Sequence, residues 1–434
     1  MERPSAALVR IVPFYYGWWV VIAAGTIILI ASVAPLYLFS TLVDPLEDEF
    51  GWSRAAIGAG PSIAAVMAGL TMPVAGYLVD RVGARRLLLA GVTLVGGGFL
   101  AMSQIQALWQ FYISASIIAV GMSLGGLPVC TVAIAHWFEK RRGRALGIVS
   151  AGEGASGIMV LVAVLLIAVF EWRTGLMILS IGQLAICIPL ALTVRHRPEE
   201  VGLLPDGEPS AGPPPEPADG TSRGSGMRQP EGLTIGQALR TRSFWLLAFA
   251  QVLAWVGSFA IVIHVIAYLD ESGGFTEEGA AVIAMGIPFG SLVGRLGFGW
   301  LADYLGKRRL LAAAWILQGL GTLVFAGIHS PWQAVIFLIV FTPGWGGAAP
   351  LLPAVLAEYF GLRAFGGIQG VLMATAMLGA IVGPIFAGAV YDVVDSYRPA
   401  FLVLALTAFT AVVLVQMMGR RPAWGTETAD TPVA

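Results

Sequence analysis

Long apolar runs, separated by short polar segments, make up most of the chain. A helix that crosses a bilayer needs about 20 apolar residues, and such runs recur six times on each side of one long polar segment, 195–242. They lie near residues 17–42, 55–79, 87–104, 109–135, 145–168, 174–194, 243–268, 280–301, 310–328, 332–356, 366–390 and 399–418. The pattern predicts an all-α membrane protein with twelve transmembrane helices in two six-helix bundles.

The polar segment divides the chain into two halves. It contains three consecutive prolines among many Gly, Ser and acidic residues, a composition that buries too little apolar surface to fold. We therefore expect an N-terminal bundle over 1–194, a cytoplasmic linker over 195–242, a C-terminal bundle over 243–418 and a cytoplasmic tail over 419–434.

The arginines and lysines predict the orientation. With both termini in the cytoplasm, 21 of the 25 lie in cytoplasmic segments, and only Arg54, Arg173 and Arg398 lie in outer loops. Positive residues concentrate on the cytoplasmic side of membrane proteins, so this orientation is the expected one. The remaining cation, Arg295, lies inside a span.

The composition excludes several function classes. Only 12% of the residues are charged, about half of the roughly 25% in soluble domains, so a soluble enzyme is not expected. A net charge of −1 offers no basic surface to nucleic acid, and two cysteines and four histidines do not suggest a metal site. Neither Lys140 nor Lys307 completes a phosphate-binding loop. We therefore expect no enzyme activity, metal, cofactor or ATP use.

One loop occurs twice. Residues 76–86 read GYLVDRVGARR and residues 299–309 read GWLADYLGKRR, with six identical positions. Each copy follows the second span of its half, on the predicted cytoplasmic side. The repeat indicates two related halves, a plan that is known among secondary transporters.

This loop resembles the hallmark loop of the major facilitator superfamily, and the twelve-span layout resembles that family too. Segments 16–20, 45–54, 136–143, 197–207 and 383–397 resemble the bacterial branch of the monocarboxylate transporters and the related oxalate/formate antiporters. The resemblance implies the major facilitator fold, transport by alternating access and a place in the bacterial inner membrane.

In the superfamily, the repeated loop helps to hold one conformation of the transport cycle. The resemblance thus implies a gating role for Gly76, Asp80, Gly299 and Asp303. Glycine permits close approach of two backbones, and an aspartate can cap the positive end of a neighbouring helix. The alternative is that these loops only anchor the topology.

Of the 51 charged residues, only Arg295 in span 8 and Glu153 in span 5 lie deep in a span. Insertion of such a residue costs about 2.5 to 3.5 kcal/mol, so both are candidates for function. Arg295 matches the family's arginine that binds the substrate carboxylate, a task that suits a planar guanidinium. The alternative is that its side chain extends to the inner interface.

The related antiporters carry a lysine in span 11, which here has no cation, so we expect one carboxylate per substrate.

Glu153 lies at about the same depth as Arg295, and in the superfamily spans 5 and 8 face each other. We hypothesise that the two pair when the site is empty. A substrate carboxylate would displace Glu153, and a buried carboxylate without its cation favours protonation. The alternative is a solvated cavity residue that repels anions.

The resemblance also points to the outer end of span 7, where an aspartate after a His-x-x-x-Tyr pattern is linked to proton uptake. Here the pattern is His264 and Tyr268, followed by Asp270 and Glu271, and either acid can match. Histidine is the side chain that ordinarily changes charge near neutral pH, so His264 is a candidate for proton uptake, with a structural role as the alternative.

Four further residues are candidates for lining an apolar cavity: Tyr37 in span 1, Phe341 and Trp345 in span 10, and Met373 in span 11. Packing or lipid contacts are the alternative for each. The prolines of span 10, at positions 343, 350 and 353, are expected to interrupt that span.

These observations predict a monomeric secondary transporter in the lipid bilayer, with a small organic monocarboxylate and protons as its partners. It would use the proton gradient for symport by alternating access. An anion exchanger and an exporter of amphipathic compounds remain alternatives.

Overall fold

The computed structural model describes residues 14–31, 39, 41–207, 231–272 and 274–419. Within these ranges the regular elements are helices, and extended backbone pairs only in an isolated bridge between Gly232 and Gly361. Helices are expected here because a backbone in lipid must satisfy its own hydrogen bonds.

The α-helices, numbered in chain order, are α1 (Tyr16–Ala31), α2 (Val43–Phe50), α3 (Arg54–Val82), α4 (Ala84–Met102), α5 (Leu108–Gly125), α6 (Leu127–Trp137), α7 (Arg142–Gly154), α8 (Gly157–Thr193), α9 (Ile235–Leu239), α10 (Arg242–Glu271), α11 (Glu277–Leu301), α12 (Lys307–Ala326), α13 (Pro331–Phe360), α14 (Phe365–Val394) and α15 (Arg398–Gln416).

Ten helices in the described ranges are long and apolar enough to cross a membrane. One of them, Arg142–Thr193, covers α7 and α8 and has 52 residues, which is long enough for two spans. Its backbone leaves the helical region at Glu171, at φ 64° and ψ 159°, and a Cβ on Gly175 would lie 3.0 Å from the backbone nitrogen of Ile167. The chain therefore turns back at Glu171. With α1 as the described part of the first span, the predicted all-α fold of two six-helix halves is confirmed.

The two halves meet along two helix pairs. Helix α7 packs against α11, and α3 packs against α14. A Cβ on Gly299 would lie 2.8 Å from the Cα of Gly147, and one on Gly370 would lie 3.3 Å from the Cα of Gly76. Small residues at these contacts allow the close backbone approach that is typical of membrane helices.

Buried side chains distribute unevenly across the membrane. On the predicted cytoplasmic side, one apolar cluster contains residues of both halves, among them Trp137, Leu146 and Leu356. On the outer side each half has its own cluster, around Phe111 in the first and Phe325 in the second. The contact between the halves is therefore closed on the predicted cytoplasmic side.

The interruption predicted in span 10 is wrong. Helix α13 continues from Pro331 to Phe360 with its prolines inside. Gly346 of this helix packs on the backbone of Ser291, so close packing supports the segment where hydrogen bonds are missing. Interruptions lie instead in span 4, where Gly126 separates α5 from α6, and in span 5, where a turn at residues 155 and 156 separates α7 from α8.

The predicted linker is described at its two ends. Asp206 accepts hydrogen bonds from the backbone N–H groups of Glu139 at 2.9 Å and Lys140 at 2.7 Å, in the first half. Leu233 donates its backbone N–H to Phe360, in the second half, at 2.9 Å. Residues 208–230 lie outside the described ranges.

Candidate functional site

The two charged residues of the spans form an ion pair across the interface between the halves. Arg295 on α11 donates from Nη1 to Oε2 of Glu153 at 2.9 Å and to the backbone carbonyl of Ser150 at 2.8 Å. The arginine is 6% exposed, whereas 45% of the glutamate side chain is exposed. Helix α7 ends directly after Glu153, at Gly154, so the carboxylate lies at the interruption of span 5.

Both partners that the described residues supply to the guanidinium bind the same atom, Nη1. The Nε atom of Arg295 is buried without a hydrogen-bond partner in the described part of the chain. Gly154 packs closely beside it, because a Cβ there would lie only 3.2 Å from this nitrogen. The Nε and Nη2 atoms form an edge that can hold a carboxylate with two parallel hydrogen bonds.

The pair borders a cavity of about 220 Å³ between the halves, which we call the central cavity. Its walls come from α3, α6, α7 and α10 to α14. The lining side chains include Met72, Leu127, Pro128, Thr131, Glu153, Gln251, Trp255, Phe259, Arg295, Trp315, Gln318, Trp345, Leu352, Pro353, Gln369 and Met373. Its surface is largely apolar, with one cation.

A second cavity, of about 230 Å³, lies nearer the predicted outer side, and we call it the outer cavity. It is bounded by apolar side chains of α10 and α11, such as Val262 and Ile287. Arg295, Glu153 and Trp345 line both cavities. The ion pair therefore lies at the boundary between them.

Two of the predicted binding residues besides Arg295 line the central cavity, Trp345 and Met373. Phe341 is fully buried and stacks behind Trp345, with ring centroids 6.5 Å apart, so it supports the wall without lining it. Tyr37 lies outside the described residues.

The other proton-coupling candidates lie apart from the two cavities. His264 is hydrogen-bonded through Nε2 to the carbonyl of Pro384 at 3.0 Å. Glu271 accepts from the backbone N–H of Tyr397 at 3.1 Å, and Asp270 is exposed. Of the four candidates, only Glu153 lines a cavity that also holds Arg295.

Each predicted gating aspartate crosses from one half to the other. Asp80 accepts from the backbone N–H groups of Gly366 at 2.9 Å and Gly367 at 2.8 Å, at the start of α14. Asp303 accepts from the N–H of Gly143 at 2.7 Å and pairs with Arg144 at 3.0 Å. These contacts bind the halves on the predicted cytoplasmic side, and we call them the two latches.

Burial and hydrogen bonding shift the pKa of Asp303 in opposite directions. Burial raises the pKa of Asp303 above its ordinary value, and the hydrogen bonds from Gly143 and Arg144 partly offset that rise.

The glycines Gly76 and Gly299 allow the halves to approach closely at the two latches. A side chain at Gly76 would meet the carbonyl of Gly366, and one at Gly299 would lie 2.8 Å from the carbonyl of Gly143.

Some features of the site carry no clear sequence signal. The carbonyl of Ser150 that binds Arg295 and the cavity-lining Gln251 are polar groups within apolar runs. Several such groups occur in the spans, and only the packing of distant helices selects these two. The glycine at 154, beside the Nε atom of Arg295, is one of 55 in the chain.

Comparison with known proteins agrees with this architecture. The family model of the Major Facilitator Superfamily matches residues 20–297 and 274–430. Human monocarboxylate transporter 11 is 29% identical over 404 residues, which cover 89% of this chain and 80% of that protein. The oxalate:formate antiporter of Oxalobacter formigenes is 22% identical over 417 residues, with 93% and 92% covered.

A solved structure has the same fold. The E. coli fucose:proton symporter superposes with a TM-score of 0.70 over 92% of this chain and 98% of that one, at 16% identity. The chain therefore belongs to the Major Facilitator Superfamily and is a multi-pass membrane transporter, not an enzyme, related to monocarboxylate transporters and an oxalate:formate antiporter.

Proposed function

We propose that this chain carries a small organic monocarboxylate together with a proton, by alternating access across the plasma membrane. The observation that supports this most directly is the guanidinium of Arg295, which holds Glu153 on Nη1 while its Nε has no hydrogen-bond partner in the described part of the chain. The names of the relatives suggest that they handle carboxylates. One cation, Arg295, is among the described residues that line the central cavity, which suits one carboxylate group.

The charge balance of the site favours coupling to a proton. The empty pair of Arg295 and Glu153 is neutral, and a bound carboxylate adds one negative charge. An uncompensated charge away from water is costly, and two carboxylates on one guanidinium disfavour the ionised form. Protonation of Glu153 restores neutrality. The empty and the fully loaded carrier can then both change conformation, whereas the singly loaded one cannot do so readily.

The two latches suit the step of the transport cycle in which the carrier opens to the cytoplasm. Asp80 and Asp303 hold the halves together on the predicted cytoplasmic side. Their release would expose the central cavity to the cytoplasm, while the outer side closes. Substrate would bind beside a contact between α7 and α11, so its charge is placed where the halves separate.

Exchange of anions is the second candidate, because one relative is an antiporter by name. The same Arg295 would bind both anions in turn. Export of amphipathic compounds is a third, for which the largely apolar cavity is suitable. Neither the exchanger nor the exporter depends on the neutral charge of the pair of Arg295 and Glu153.

Uptake into proteoliposomes separates these candidates. For a panel of labelled carboxylates, an inward proton gradient should raise accumulation, Arg295→Ala should abolish it, and Arg398→Ala, at an exposed outer arginine, should not change it. Glu153→Gln should lose gradient-driven accumulation but keep exchange, because the variant is neutral only when loaded. Counterflow by the wild type without any proton flux would indicate the exchanger, and transport that survives Arg295→Ala would indicate the exporter.

A further inference from the structure

The polar side chains of the central cavity differ in how well they are satisfied. Thr131 and Gln369 are hydrogen-bonded to each other at 3.0 and 2.9 Å. Gln318 accepts from Ser258 at 2.9 Å and donates to Gly344 at 3.1 Å. Their amide and hydroxyl groups are thus occupied by the protein.

Gln251 is the exception among these uncharged residues. It lines the central cavity and is 4% exposed, yet its Oε1 atom has no hydrogen-bond partner within the described residues. Buried polar groups nearly always have a partner, and each exception calls for an explanation. A ligand in the cavity would supply one.

Aromatic side chains line the same cavity as Gln251 and the guanidinium. Trp255, Phe259, Trp315 and Trp345 all line the cavity, and the rings of Trp255 and Phe259 have centroids 5.1 Å apart. Aromatic rings attract one another in offset or edge-to-face arrangements. The walls therefore suit a flat, unsaturated ligand better than a short aliphatic chain.

The size of the cavity agrees with this. A volume of about 220 Å³ equals about seven water molecules at their share of liquid volume. It lies below the roughly 300–1,000 Å³ typical of pockets for drug-sized ligands. A carboxylic acid with one small ring fits this range, whereas a two-carbon acid would leave apolar walls facing water.

We propose that the substrate is an aromatic monocarboxylate that carries a hydroxyl group on its ring, an inference that rests on the proposed function. Arg295 binds the carboxylate, the aromatic walls hold the ring, and Gln251 bonds the hydroxyl. A hydroxyl both donates and accepts, so it satisfies the amide of Gln251 in either orientation. Gln251 is then the residue that selects among carboxylates.

Transport of three labelled acids tests this inference: 4-hydroxyphenylacetate, phenylacetate and acetate. For the wild type, the KM of the hydroxylated acid should be at least about tenfold below that of phenylacetate, with acetate the poorest substrate. Gln251→Met, which keeps the side-chain length, should raise the KM of the hydroxylated acid about tenfold and leave that of phenylacetate unchanged or lower. Gln251→Leu should behave in the same way.

Gln183→Leu is the matched control, because this glutamine is also buried and has an unpartnered amide nitrogen but does not line the central cavity. It should not change the ratio of the two KM values. Equal KM values in the wild type, or a Gln251→Met variant that weakens both ring acids alike, would overturn the inference. If the protein transports acetate in an Arg295-dependent way but neither ring acid, the inference fails and the proposed function stands. If it transports no carboxylate, both the inference and the proposed function fail.

Discussion

Arg295 and Glu153 belong to different halves of the molecule, and a hydrogen bond of 2.9 Å between Nη1 and Oε2 joins them at the centre of the interface. Glu153 and the carbonyl of Ser150 both accept from Nη1, and Nε has no hydrogen-bond partner among the described residues. On the proposed mechanism, a substrate carboxylate binds at the edge that Nε and Nη2 form and shares the guanidinium with Glu153 until one of the two carboxylates is protonated. Displacement of Glu153 by the substrate, as expected from the sequence, is the alternative.

Replacement of Arg295 by lysine should separate charge from geometry. Lysine keeps the cation but lacks the planar fork that serves Glu153, Ser150 and a substrate at once. We expect the KM for carboxylates to rise at least about tenfold, with a smaller change in kcat, in proteoliposome uptake. A KM like that of the wild type would contradict bidentate binding at the edge that Nε and Nη2 form.

Loss of a latch should open the predicted cytoplasmic side. Asp80→Ala removes two hydrogen bonds to a carboxylate, each contributing about 1.5–3 kcal/mol, and should shift the conformational equilibrium at least tenfold. Spin labels at exposed positions 86 and 363 would report this as a longer distance between the halves. Asp392→Ala, at an exposed outer position, is the control. An unchanged distance distribution in Asp80→Ala would show that this contact does not hold the closed state.

Close backbone packing gives a prediction with an internal control. At Gly299 a Cβ would lie 2.8 Å from the Cα of Gly147, whereas at Gly297 nothing lies within 4 Å. Gly299→Val should reduce transport at least about tenfold, because the halves cannot close. Gly297→Val should transport like the wild type. Equal transport by the two variants would count against a tightly packed contact at α7 and α11.

The outer surface gives a prediction for pH. Glu49 accepts from Arg173 at 2.7 Å and from Trp172 at 2.9 Å, and hydrogen bonding from Arg173 is the main cause that lowers the pKa of Glu49. A lowered pKa contributes stability above the ordinary value for glutamate, about 4.3, which is lost as the pH falls through the folded-state pKa. Glu49→Gln should cost about 0.5–1 kcal/mol at pH 7 for this exposed pair.

Thermal unfolding of the purified protein measures this difference between pH 7 and pH 3. The difference in stability between the wild type and Glu49→Gln should stay constant above about pH 5 and shrink below the ordinary glutamate range. A difference that widens on acidification would reverse the expected sign.

The fold could be predicted from the sequence because a membrane imposes a simple rule on each segment. Apolar length marks a span, and the repeated loop at residues 76–86 and 299–309 marks the two halves. Local rules failed at the prolines of α13, where packing against neighbouring helices keeps the helix continuous. Helix interruption depends on such neighbours as well as on residue type.

The site could be predicted only in part. Arg295 and Glu153 stand out because charges in spans are rare, and the superfamily resemblance brings their spans together. Gln251 is an uncharged residue in an apolar run, and nothing in the run distinguishes it from Gln183. The difference arises from the packing of the eight helices around the central cavity, which one sequence does not reveal.

On the proposed mechanism, binding of one carboxylate brings one proton to Glu153. Proton uptake by the purified protein on addition of 4-hydroxyphenylacetate, followed with a pH indicator in weak buffer, measures this directly. We predict about one proton per bound carboxylate for the wild type and none for Glu153→Gln at equal occupancy. Equal proton uptake by both proteins, or binding to the wild type without any uptake, would contradict the account.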